Sequence, residues 1–81
     1  LVVTELMIAA EVETPSSFTN VKALVNLPIM EEWCREMIGA QAMYRDHVSD
    51  EYPWTYSFIG GKTVWHFARA EYATMFSLRW L

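Results

Sequence analysis

One cysteine, three glycines and three prolines are all that the 81 residues contain of these types. A single Cys34 cannot form an internal disulfide, so the chain suits a reducing compartment or is indifferent to redox state. Basic residues are also scarce. Lys22, Arg35, Arg45, Lys62, Arg69 and Arg79 stand singly, against ten acidic residues, for a formal net charge of −4. Nucleic-acid binding draws on a clustered basic face that displaces counterions from phosphates, and no such cluster is present. Anionic membrane surfaces are excluded on the same ground. No apolar run approaches the roughly 18 residues of a spanning helix. The N-terminus carries neither the charged region nor the cleavage signature of a signal peptide, and the cytoplasm is the expected compartment. Linkers, repeats and low-complexity stretches are lacking, and the length admits one domain.

What is abundant is apolar bulk. Hydrophobic residues make up 53% of the chain and aromatics 15%. A domain of this size buries only about 60% of the surface its unfolded chain exposes, so its stability margin is thin. Such richness implies either an unusually aromatic core or a core completed by another chain.

Hydrophobic periodicity divides the chain into five elements. Val2 to Val12 reads as a strand, with Val2, Leu6, Ile8, Ala10 and Val12 on one face and Glu5, Met7, Ala9 and Glu11 on the other. Thr14-Pro15-Ser16-Ser17 is a helix-start signal. Phe18, Val21, Leu24 and Val25 then recur at helical spacing. Asn26-Leu27-Pro28 is expected to interrupt this helix, because proline lacks the donor and disfavours helical geometry before it. A second stretch carries an apolar stripe of Met30, Trp33, Cys34, Met37 and Ile38, and Gly39 is its natural stop. Residues 40–51 fit either helix or loop. Trp54 to Ile59 alternates as a strand, Gly60-Gly61 forms a tight hairpin turn, and Thr63 to Ala68 returns. Ala70 to Leu81 satisfies both periods; its Ala, Glu, Met, Leu and Arg content favours helix.

The order is β-α-β-β-α. A right-handed crossover places the first strand beside the third, giving an α+β domain over 1–81 with a three-stranded antiparallel sheet in order 1-3-2. Both helices lie on one face, as in a ferredoxin-like fold short of its last strand. A strand at the C-terminus would instead give four strands against one helical region.

Several motifs invite a chemical reading and fail it. Gly60-Gly61-Lys62-Thr63 imitates the end of a phosphate-binding loop, yet the pattern's first glycine would fall on Tyr56, and a strand follows where a helix is needed. Trp54, Tyr56, Phe58, Trp65 and Phe67 resemble the base-stacking sheet of RNA-recognition domains, but the chain is acidic and lacks the accompanying Lys/Arg-Gly signature. Core packing is the better reading. Asp46, His47, Asp50 and Glu51 fit no known metal loop and read as a solvated acidic segment. Cys34 lies on an apolar helix stripe with neither His47 nor His66 placed beside it, the setting of a buried thiol. No serine-nucleophile motif, metal set or cofactor motif is present, so no enzyme is expected.

Glu32-Trp33-Cys34, Gly39, the Gly60-Gly61 hairpin with Trp65 and Phe67, and the closing Ala73-Thr74-Met75-Phe76-Ser77-Leu78-Arg79-Trp80 carry one resemblance. Over residues 30–81 the chain resembles a group of small uncharacterised proteins of tailed bacteriophages. Their pattern is a Trp-Cys on a helix, an aromatic hairpin and a final Ala-x-x-Phe-x-Leu-x-Trp. The resemblance implies a viral accessory protein with a helical C-terminus, active in the cytoplasm of an infected host. Its shared residues are packing residues, so it assigns no activity. The expected function is binding and modulation of a host or viral protein; the alternative is a self-associating virion component. The candidate contact is the first strand, an edge in a 1-3-2 sheet that holds no proline, glycine or lysine between Val2 and Val12. Its protein-binding residues would be Val3, Glu5, Met7, Ala9 and Glu11, pairing with a two-fold mate or a partner strand.

Overall fold

A computed structural model describes residues 7–16 and 20–81. The elements in chain order are β1 (Ala10–Pro15), α1 (Val21–Met37), a single 3₁₀ turn (Arg45–His47), β2 (Trp54–Ile59), β3 (Lys62–Phe67) and α2 (Ala70–Trp80). They form the expected β-α-β-β-α arrangement, with an antiparallel sheet in the order β1-β3-β2. The C-terminal segment is a helix.

Two boundaries differ from the sequence reading. Among the described residues the first strand is Ala10–Pro15, running three residues past the expected end at Val12; residues 1–6 of the expected strand lie outside the described residues, and Met7 to Ala9 precede the ladder. Thr14 and Pro15, expected to open the helix, instead pair with Thr63 and Lys62. Register decides this, because the ladder runs the full length of β3. Pro15 falls at its last position, on an edge strand where a missing N–H is tolerated. The expected alternation survives: Val12 is buried in the core and Ala10 packs against it. The helix then starts from Asn20, whose side chain accepts the Ala23 N–H at 3.1 Å.

The second correction is Pro28, which does not divide the helix: α1 runs unbroken through it. The carbonyl deprived of a donor is that of Leu24, and both residues are exposed. Water can satisfy that carbonyl, which makes the interruption affordable on this side of the helix. The helix ends where expected. Gly39 adopts φ +146°, and an added Cβ would stand 3.1 Å from Pro53 Cγ. The Gly39 carbonyl also accepts the Trp54 Nε1–H at 2.7 Å, tying the helix end to β2.

Gly60 and Gly61 both have positive φ, +57° and +76°, which a two-residue hairpin of this hand requires. The turn fixes the β2–β3 register, with Trp54 opposite Phe67 and Tyr56 opposite Trp65. Trp54, Trp65, Phe67 and Val12, with Met30, Cys34, Ala73 and Phe76 from the two helices, form the main core, and Tyr56 packs against it. Its centre is aromatic: Trp54 stacks on Trp65 at 6.0 Å, and Phe76 lies 4.8 Å from Trp65 and 5.4 Å from Phe67.

The other face of the sheet is covered too. Residues 38–53 form a loop in which the Ala42 N–H meets the Trp54 carbonyl and Gln41 bridges to Trp54. Ala42, Val48 and Ala68 make a second apolar cluster with Ile8 packed against it. With covering on both sides, Thr63 to Phe67 is a continuous buried run, as expected of a central strand.

Candidate functional site

Three of the five residues expected to form a binding edge are described. Val3 and Glu5 lie outside the described residues. Met7 is exposed ahead of β1, and the Ala9 N–H donates to the Phe67 carbonyl at 2.9 Å, so it points toward β3 and not toward a partner. Glu11 is on β1 but is engaged with His66. Pro15 closes the far end of the strand, a feature that guards an edge.

Exposed apolar surface concentrates on α1 instead. Val21, Leu24, Val25 and Ile29 follow helical spacing along one face and are 78%, 57%, 62% and 53% exposed. A surface helix ordinarily turns polar residues to this side. In the first half of α1 the inward positions are held by Leu27 and Met30, so the helix is apolar on opposite sides. The strip continues into a shallow groove of about 420 Å³ along Pro28, Ile29, Trp33 and Trp80, with Glu32, Glu36 and Arg79 as its charged lining. On the inner side of α1 a cleft of about 220 Å³ opens between Asn26, Leu27, Thr63 and Trp80. Thr63 Oγ1 and Trp80 Nε1 are buried there without a hydrogen-bond partner among the described residues.

A third feature lies on the outer face of the sheet. Glu11, His66 and Ser57 come from β1, β3 and β2, with Glu11 directly opposite His66. His66 is fully buried. Its Nε2 is 3.0 Å from Ser57 Oγ, and its Nδ1 is 2.5 Å from Glu11 Oε2. The second contact has the distance of an ion pair without the alignment of a hydrogen bond. A carboxylate only accepts, so a contact at this distance favours the tautomer with the imidazole proton on Nδ1. Nε2 then presents its lone pair to the Ser57 hydroxyl.

Burial pushes the His66 pKa down, partly opposed by the charge and hydrogen bonding of Glu11, with a smaller lowering from Arg45. Lowering favours the neutral ring in the fold, so the unfolded chain binds more protons than the native one. Stability is therefore full above the unfolded histidine value, about 6.5, and falls as pH drops below it. Acidification from about pH 7 to pH 5 should lower the midpoint of urea unfolding, and His66→Gln should flatten this part of the profile. An equal pH slope in wild type and variant would show that His66 is not the group responsible.

The remaining candidate groups are structurally occupied. Cys34 is buried, and burial first, then the Glu31 charge, pushes its thiol up to about 12, partly offset by Arg35. At neutral pH it is an inert core residue. The Tyr56 hydroxyl donates to Glu31 at 2.9 Å. Its own pKa rises to about 12, through burial first and then that hydrogen bond. Asp50 pairs with Arg69 at 3.1 Å, and no group of three or more metal-ligating side chains assembles among the described residues. Nor is any helix among them long and apolar enough to cross a membrane.

Comparison with protein-family models, curated proteins and solved structures gives no match to this chain.

Sequence reasoning missed the Ser57–His66–Glu11 arrangement, although part of it was accessible. A two-residue turn at Gly60-Gly61 makes Ser57 and His66 diagonal neighbours on one face of the hairpin. Only the β1–β3 register, displaced from the expected strand, brings in Glu11.

Proposed function

We propose that this chain is a small non-enzymatic accessory protein, of the phage type its aromatic hairpin and C-terminal helix resemble, that binds and modulates a host or viral protein in the cytoplasm of an infected bacterium. The observation that carries this reading is the outer face of α1, where Val21, Leu24, Val25 and Ile29 are more than half exposed. Apolar side chains lined up along one helix face suit an apolar strand or helix of a partner. The net charge of −4 argues against nucleic acid as that partner.

A virion component that covers the same face with its own copies is the competing assignment, and oligomeric state separates the two. Light scattering on purified protein should give the monomer mass across micromolar concentrations, with a stoichiometric partner retained on affinity capture from host lysate. Concentration-dependent assembly with nothing else retained would assign the face to self-association instead.

A further inference from the structure

We propose that Ser57 is an activated hydroxyl: a covalent acylation site that accepts an acyl group from esters with good leaving groups. The inference rests on three side chains from three adjacent strands, held in the order carboxylate, imidazole, hydroxyl. Glu11 Oε2 stands 2.5 Å from His66 Nδ1, and His66 Nε2 stands 3.0 Å from Ser57 Oγ. In serine hydrolases this order lets the carboxylate fix the tautomer and stabilise the imidazolium, while Nε2 takes the hydroxyl proton.

A structural reading exists: a buried histidine needs partners for its ring nitrogens, and Ser57 supplies one for Nε2 while Glu11 lies within ion-pair distance of Nδ1. That role and activation of Ser57 are one and the same arrangement. Once a carboxylate has fixed the proton on Nδ1, the Nε2 lone pair must face whatever group completes the ring's bonding. Here that group is an aliphatic hydroxyl, which a neighbouring base converts into a nucleophile. His66 is fully buried, Ser57 is only partly so, and the Glu11 side chain is 41% exposed. Ser57 is thus the member of the pair with surface open to an incoming ester.

The reaction balances without a co-reactant. Ser57 Oγ bonds to the ester carbonyl carbon as its proton passes to His66 Nε2. The tetrahedral adduct collapses, the carbon–oxygen bond to the leaving group breaks, and the aryl oxide departs with the electron pair. The imidazolium proton then neutralises the aryl oxide, and His66 returns to its neutral form. Ser57 lies mid-strand, away from any strand-to-helix elbow that would converge N–H groups on the oxyanion. The reaction therefore depends on the acidity of the leaving group. In the acyl-serine the leaving group is an ordinary aliphatic alcohol, so the same dependence on leaving-group acidity makes its hydrolysis slow. The outcome is one stable acyl-serine per chain, consistent with a protein that is not an enzyme.

p-Nitrophenyl acetate is the probe. The folded protein should release a single burst of nitrophenolate equal to the protein present, and peptide mass spectrometry should place one acetyl group on Ser57. Ser57→Ala should abolish the burst. Glu11→Gln keeps the size of the side chain but can donate as well as accept, so it should slow the burst about ten-fold or more with the melting temperature little changed. Nitrogen chemical shifts should show the His66 proton on Nδ1. Acetylation confined to lysines, a Ser57 signal equal in guanidinium-unfolded protein, an undiminished burst in Glu11→Gln, or a proton on Nε2 would each overturn the assignment.

Discussion

Trp65→Ala should destabilise the fold by about 3–5 kcal/mol, as expected for loss of a large aromatic from a packed core. A domain of this size has a total stability near 5 kcal/mol at the low end of the usual range, so the variant should be largely unfolded at 37 °C. Trp65 is fully buried on the central strand and meets Trp54, Tyr56 and Phe76 at once. Its Nε1–H donates to Thr14 Oγ1 at 3.0 Å, and the Thr14 hydroxyl lies 3.4 Å from the Thr63 carbonyl. Removing the indole opens a cavity where both helices and both edge strands converge. Urea unfolding followed by far-UV circular dichroism measures the change; a loss below about 1 kcal/mol would show that the aromatic centre is not packed as described.

Phe76→Ala is the second large effect, also about 3–5 kcal/mol, and its contrast with Trp80→Ala tests how α2 docks. Phe76 is fully buried against Trp33, Trp65 and Phe67. Trp80, one turn further on, is partly exposed, with Trp33 edge-on at 6.3 Å and the Arg79 guanidinium 4.0 Å from its ring. Burial of part of that indole is worth about 1–2 kcal/mol. The order of the two losses is the diagnostic quantity. If Trp80→Ala proved the costlier, the C-terminus would be the anchor of α2 and the groove beside it would be core.

Much of this architecture is legible in the sequence because it rests on local signals. Gly60-Gly61 between alternating aromatics specifies the hairpin, and a crossover from a preceding strand leaves few sheet orders available. Gly39 as a helix stop is equally local. The first strand is a different case. Alternation alone does not show that the strand runs on through Thr14 and Pro15; only pairing with β3 does. Pro28 misleads for a related reason: whether proline ends a helix depends on whether the freed carbonyl reaches water, a tertiary fact. Periodicity likewise shows that Val21, Leu24 and Val25 share a face without showing that Leu27 and Met30 take the inward side. His66 was legible only as an outward strand position, because the β1–β3 register is what sets Glu11 opposite it.

The central claim is that the outer face of α1 serves binding and contributes little to the fold. The most direct test is the double variant Leu24→Asp/Val25→Asp, compared with wild type in two assays. On the present account its urea midpoint stays close to wild type, since both side chains are more than half exposed. Affinity capture with it should lose the protein that wild type retains. Retention of that partner by a folded double variant, or a destabilisation of several kcal/mol, would contradict the account.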